Sequence, residues 1–237
     1  MQGMESFRAF SATHAIVLAA IALLTLLAVR GARRRAAAAQ ASAGERLVGW
    51  AYLAAWATTY LFLFFSSLHE PAKTLPLQLC HLTAAAAALL LITRWPMLRP
   101  IVYFWGLGLC TQALVTPALS EGPALYPFWF FWSTHGLIVG AACYDLALGY
   151  RPGWRDYGAA CAAAAAYLAV VLPLDIAFGW NYGFVGPDKP EVRTLVDALG
   201  PWPQRLAVIV VLVAAVMALL VLPWKAPGIA RRLCCSR

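Results

Sequence analysis

The feature that most constrains this chain is a succession of apolar runs, each about 20 residues long, the length an α-helix needs to cross a bilayer. Seven windows of that size are readable: Ser11–Val29, Leu47–Ser66, Leu75–Thr93, Met97–Thr116, Ala124–Leu148, Tyr157–Phe178 and Pro203–Leu222. Short polar stretches separate most of them. Each is apolar on all sides, so amphipathic periodicity assigns none of them an inward face. Only 12% of the 237 residues are charged against 62% hydrophobic, with a mean hydropathy of +0.72. An ordinary soluble domain carries roughly 25% charged residues, so lipid rather than water suits this surface. The expected fold class is all-α: one polytopic membrane bundle of seven transmembrane helices over residues 1–237.

A net charge of +8 raises the question of nucleic acid, but the basic residues punctuate apolar runs instead of forming a patch interleaved with aromatics. No nucleic-acid partner is expected. With seven spans, 13 of the 18 Lys and Arg fall on one side, including Arg30, Arg33, Arg34, Arg35, Arg46, Arg94, Arg99, Arg151, Arg155, Lys225, Arg231, Arg232 and Arg237. Arg8, Lys73, Lys189, Arg193 and Arg205 fall on the other. The positive-inside rule places the first set in the cytoplasm, giving an N-out/C-in topology. Residues 31–45 then form a cytoplasmic linker, 179–202 an outer loop and 223–237 a basic cytoplasmic tail. The first run lacks a strong basic start and a small-residue cleavage site, and reads as a retained helix.

That topology gathers the polar residues at the outer side. His14, His69, His81 and His135 all fall in the outer half or its loops, with Gln78, Cys80, Gln112, Thr116, Ser133, Thr134, Asp175 and Asn181. Ionisable groups within a bilayer face the bundle interior or a water-filled cavity, so an outward-facing polar pocket is expected. Cys80 would lie about 8 Å below the outer edge and His135 roughly 12–16 Å, at about 1.5 Å per residue. The inner half has little to match, mainly Asp145. Cys110, Cys143 and Cys161 read as small apolar packers, and Cys234 and Cys235 sit in the basic tail. Tyr126, Trp129, Trp132, Trp180 and Trp202 read as an outer aromatic belt, and His14 and His69 as groups at the water interface. The loop charges Asp188, Lys189, Glu191 and Arg193 read as solvated. No Cys/His signature and no i, i+4 histidine pair occurs, so neither metal nor cofactor is expected.

Several stretches carry a resemblance: Leu75-Pro76-Leu77-Gln78-Leu79-Cys80, then Thr116-Pro117-Ala118-Leu119 followed by Phe130-Phe131-Trp132-Ser133-Thr134-His135-Gly136. Asn181-Tyr182-Gly183-Phe184 and Leu199-Gly200-Pro201-Trp202-Pro203 complete the order. Together they resemble the YwaF-like bacterial integral membrane proteins, a family similar to the eukaryotic transmembrane protein 164 group, from about Leu47 to Trp224. The resemblance implies acyl transfer to phospholipids, membrane lipids or an acyl donor as partners, and a multi-pass protein of the bacterial inner membrane. By motif, the implied catalytic pair is Cys80 and His135. The bacterial pattern often carries His where this chain has Gln78, which brings His81 forward as a substitute.

A thiol among apolar neighbours is inert, so a nucleophilic Cys80 needs a base beside it, and His135 supplies one in the usual Cys/His arrangement. Gln78, Ser133 or Thr134 would donate to the tetrahedral oxyanion. Gln78 and Cys80 stand about 200° apart on a helix, which sets Gln78 away from the thiol. His81, Gln112, Thr116, Asp175 and Asn181 complete the expected substrate-binding set. Two other classes stay open: a transporter of a small solute or protons using the same outer pocket, and a non-catalytic membrane protein. A metal or haem protein ranks behind them for want of ligand spacing.

Overall fold

A computed structural model of the chain describes residues 6–35, 40–187 and 195–225. The loop charges Asp188, Lys189, Glu191 and Arg193 and the tail residues Arg231, Arg232, Cys234, Cys235 and Arg237 lie outside the described residues. The fold is all-α. Its helices are α1 (Ala12–Arg33), α2 (Ala43–Phe65), α3 (Pro71–Thr93), α4 (Leu98–Val115), α5 (Tyr126–Ala147), α6 (Trp154–Phe178) and α7 (Gln204–Lys225). Six of these, all but α5, are long and apolar enough to cross a membrane. α5 has 22 residues, about 33 Å at 1.5 Å per residue. Ser133, Thr134, His135, Tyr144 and Asp145 lower its apolarity, and three of those five are buried.

α3, α4 and α5 form the centre of the bundle. α1 packs on α5 and α2 on α3, while α6 and α7 pack against α4. Leu90, Val102, Ala141 and Ala142 interlock the three central helices, and Phe104, Trp105, Ala160, Met217 and Val221 join α4 to α6 and α7. Small residues bring the helices close, which is how packing is gained where no water is excluded. A Cβ at Gly49 would lie 2.6 Å from the Ala88 carbonyl oxygen and 2.6 Å from an Ile92 side-chain carbon. One at Gly106 would meet Ile138 at 2.9 Å.

Helix ends follow local chemistry. Ser11 caps α1 by accepting from the His14 amide at 3.3 Å. Ser42 and Glu45 form a capping box that starts α2 at Ala43, satisfying two otherwise unpaired amides. At the other side Arg30 and Arg33 lie in the last turn of α1, where cations favour the helix C-terminus. The linker expected at 31–45 is therefore shorter, because both flanking helices run into it. In α4, residues Ile101–Cys110 follow a π-helical path, a widened geometry frequent at functional sites. Its polar side chains cross to neighbouring backbones: Tyr103 donates to the Leu220 carbonyl at 2.9 Å, and Trp105 to that of Ala160 at 3.2 Å.

At the end of the bundle where α1 stops and α2 starts, a charge cluster forms around Glu45. Arg94 approaches it at 2.6 Å and Arg35 at 2.5 Å, and Tyr144 also donates to it. Nearby, Arg99 Nε lies 3.4 Å from Asp145 and its guanidinium sits over the Tyr150 ring. This end, where mainly Asp145 is expected from the sequence, thus holds a network linking four helices.

Candidate functional site

At the opposite end, α3 is built in two pieces: a first turn, Pro71–Thr74, and a continuous stretch, Leu79–Thr93, that begins after Gln78. Cys80 is the second residue of that stretch. Its amide is one of the donors a helix start leaves without an intrahelical partner, whereas the next amide, that of His81, donates to the Gln78 carbonyl at 3.0 Å. Half-buried, Cys80 packs with Tyr52 against a cluster of Ala84, Cys110 and Ile138.

His135 approaches that cluster from α5. It is 3% exposed, and its Nδ1 pairs with the Phe131 carbonyl at 2.8 Å. Nδ1 must donate to a carbonyl, which leaves the lone pair on Nε2. Ile138, a member of the cluster that receives Cys80, is three residues along, one turn of α5 from His135. Among the described residues no hydrogen bond joins Cys80 to His135. Thr134, beside it, is buried and bonded to the Tyr52 hydroxyl at 2.9 Å. His81 lies within electrostatic reach of His135, and its Nδ1 pairs with the Tyr60 hydroxyl at 2.6 Å. Tyr60 and Tyr52 are both within electrostatic reach of Cys80. The hydroxyls of Thr59 and Tyr126 meet at 2.5 Å.

The α2 contribution was missed by sequence reasoning. Its signal was present, because Tyr52, Trp56, Thr59 and Tyr60 recur at i, i+4, i+7 and i+8, one helical face. In an apolar window that face is easily taken for packing.

The other predicted site residues are distributed around this centre. Gln78 accepts from the Gly183 amide through its side-chain oxygen at 3.1 Å, bracing the loop after α6 and leaving that oxygen committed. Asn181 accepts from the Gly186 amide at 3.0 Å and from Arg205 at 3.3 Å. Asp175, fully buried, accepts from the Tyr182 amide at 3.0 Å through one oxygen; the other has no hydrogen-bond partner among the described residues. Tyr182 in turn donates to the Pro71 carbonyl and accepts from the Leu75 amide at 3.1 Å. Burial pushes its phenol up to about 12, so it holds α3 to the loop as a neutral group. Ser133 is exposed and donates to the Phe130 carbonyl at 3.1 Å. Thr116 turns its hydroxyl to the Gln112 carbonyl at 3.4 Å, and the Gln112 side-chain oxygen is buried with no hydrogen-bond partner among the described residues.

Two expected interfacial groups are core groups instead. His14 is 2% exposed, accepts from the Phe10 amide at 2.9 Å and donates to the Leu114 carbonyl at 2.8 Å. Trp132 is 3% exposed and packs with Phe7, Phe128 and Leu119. Residues 6–11 fold against α5 and draw both side chains inward. Tyr126 and Trp129 remain exposed. Among the described residues no group of three His, Cys, Asp or Glu is placed to hold a metal ion.

The arrangement offers a thiol at a helix start, an imidazole of fixed tautomer on the adjoining helix, and phenols that orient the second histidine and Thr134. No curated protein and no solved structure matches the chain. A family profile does, that of the TMEM164 family, over residues 9–221. That match spans the whole bundle from before α1 to near the end of α7, and the chain is a multi-pass membrane protein that belongs to the TMEM164 family.

Proposed function

We propose that this protein is a thiol-dependent lipid acyltransferase or hydrolase, with Cys80 as nucleophile and His135 as base. The observation that carries the reading is the pairing of positions. Cys80 opens a helix beside the cluster that holds Ile138, one turn of α5 from His135, and the Phe131 carbonyl holds His135 with Nε2 as the acceptor. In this scheme Nε2 takes the thiol proton as sulfur attacks the ester carbonyl of an acyl donor. The ester C–O bond then breaks, and the leaving oxygen takes the proton from the imidazolium. A lipid hydroxyl, or water, attacks the thioester with His135 again as base, and the thiol is restored. The first-turn amide at Cys80 supplies a donor to the oxyanion. Catalytic hydrogen bonds tighten when substrate binds, so Cys80 and His135 pair as the acyl donor enters.

The same reading takes α5 as a seventh span, with the N-terminus outside, the C-terminus in the cytoplasm and the site in the outer half of a bacterial cell membrane. A phospholipid then reaches the thiol sideways from the outer leaflet. Thiol labelling in membranes tests the chemistry on wild type, Cys80→Ser, Cys110→Ser and His135→Ala. Cys80 should dominate labelling and slow sharply in His135→Ala. Equal reactivity of Cys80 and Cys110, with no effect of His135→Ala, would sink the proposal. Reporter fusions after Arg33 and Lys225 should both report cytoplasm, and a split result would remove the orientation.

A further inference from the structure

Between α6 and α7 lies a groove of about 210 Å³, floored by α4 and bordered at the histidine end by Gly183 and Val185. Leu79, Leu109, Ala164, Tyr167, Ala214 and Met217 line it. The Tyr167 hydroxyl is occupied, donating to the Leu77 carbonyl at 2.8 Å, so the groove carries almost no polar demand. Ala164 and Ala214 hollow it from facing helices where larger side chains would close it. Along α7 the lining runs from Ile209 to Met217, about 12 Å at 1.5 Å per residue. Its long axis is therefore that of the helices.

Two observations name the occupant. The surface around the opening is lipid-facing: Val170 and Ile176 on α6 and Val208 and Val211 on α7 are exposed, on two helices long and apolar enough to cross a membrane. An apolar hollow at that depth meets hydrocarbon chains and nothing else in quantity. The second observation is that groove-lining residues are chain neighbours of the thiol cluster. The turn of α3 that puts Leu79 in the groove puts Cys80 against the Cys110 cluster, and the turn of α4 that puts Leu109 in the groove carries Cys110 itself. Tyr167, in the groove wall, is within electrostatic reach of both cysteines.

We propose that the α6–α7 groove binds one fatty-acyl chain of a membrane lipid, its ester end at the Leu79–Gly183 border. The chain's use as acyl donor rests on the thiol reading above, whereas its binding does not. The space left by Ala164 and Ala214 then admits the chain.

The test uses the full-length protein in phosphatidylcholine vesicles containing a trace of phosphatidylcholine with a diazirine- and alkyne-tagged hexadecanoyl chain. After irradiation, crosslinks should concentrate on residues 161–168 and 209–217. Ala164→Leu and Ala214→Leu should each lower that labelling about tenfold, the low end of what one methylene decides in a fitted pocket, with the thermal unfolding midpoint unchanged. Val213→Ala, which widens the groove, should keep the labelling and so separates filling from damage. Cys80→Ser should also keep it, even where thiol reactivity is gone. Labelling spread equally onto exposed α1 residues such as Leu23 and Leu24, or undiminished in both filled variants, would overturn the site. Loss of labelling in Cys80→Ser would overturn its independence from the thiol.

Discussion

The Glu45 cluster and the surroundings of Cys80, at opposite ends of the bundle, bury polar groups by opposite means. At one end a single carboxylate, Glu45, gathers Arg35, Arg94, Tyr144 and the Ser42 amide from four helix ends or starts. Around Cys80 and His135, neutral groups meet in pairs: Tyr52 with Thr134, Tyr60 with His81, Thr59 with Tyr126, and His14 with the Leu114 carbonyl, while the buried Asp175 and Arg205 bond to the loop after α6. A buried charge needs a full set of partners before it stops costing stability. A buried hydroxyl or imidazole needs one or two hydrogen bonds. The Glu45 cluster is therefore all-or-nothing architecture, whereas the paired neutral groups can sit beside a thiol and an imidazole that are not yet paired with each other.

This contrast yields predictions of decreasing size. Replacing His135 by Gln should slow Cys80 thiol chemistry by about 10²–10⁴-fold, the usual reach of a general base, measured as the rate of labelling per folded molecule. An equal loss in His81→Gln, with His135→Gln silent, would move the base to His81 and redraw the surroundings of Cys80. Glu45→Ala leaves Arg94, whose side chain is 9% exposed, without its carboxylate. It should cost about 3–5 kcal/mol, as for other broken buried pairs, read from unfolding in mixed micelles, while labelling of the molecules that stay folded is unchanged. An unshifted unfolding curve would erase the distinction between the two regions. Gly49→Val, on the charged side of the α2–α3 contact, should destabilise by about 1–3 kcal/mol, as overpacking does. Tyr52→Phe should cost about 0.5–1.5 kcal/mol, one hydrogen bond to a buried hydroxyl, and a larger loss would mean that Tyr52 holds more than Thr134.

Much of the frame is legible without coordinates, because helix length in lipid is a matter of counting. Each apolar window overlaps one of the helices, and the Ser42/Glu45 box marks a start that the windows alone place too late. Rotation is not legible. Since the windows are apolar all round, nothing in them says that Trp132 and His14 turn inward, or that Tyr52 and Tyr60 face Cys80. The π-helical course of α4 has no signature in Ile101–Cys110 either, being fixed by what Tyr103 and Trp105 reach on α6 and α7. The Cys80 and His135 candidates came from motif resemblance, and the seating of Cys80 on the Ala84–Cys110–Ile138 cluster, one turn of α5 from His135, came from packing.

The sequence by itself determined an all-helical membrane chain and where its helices lie, because the bilayer demands long apolar segments with internally satisfied backbones. Only the tertiary structure decided which polar side chains meet, because that depends on helix rotation and on small residues such as Gly49 and Gly106 that let helices close. It drew Cys80, His81 and His135 to one end, bound four helices through Glu45 at the other, and opened the groove between α6 and α7.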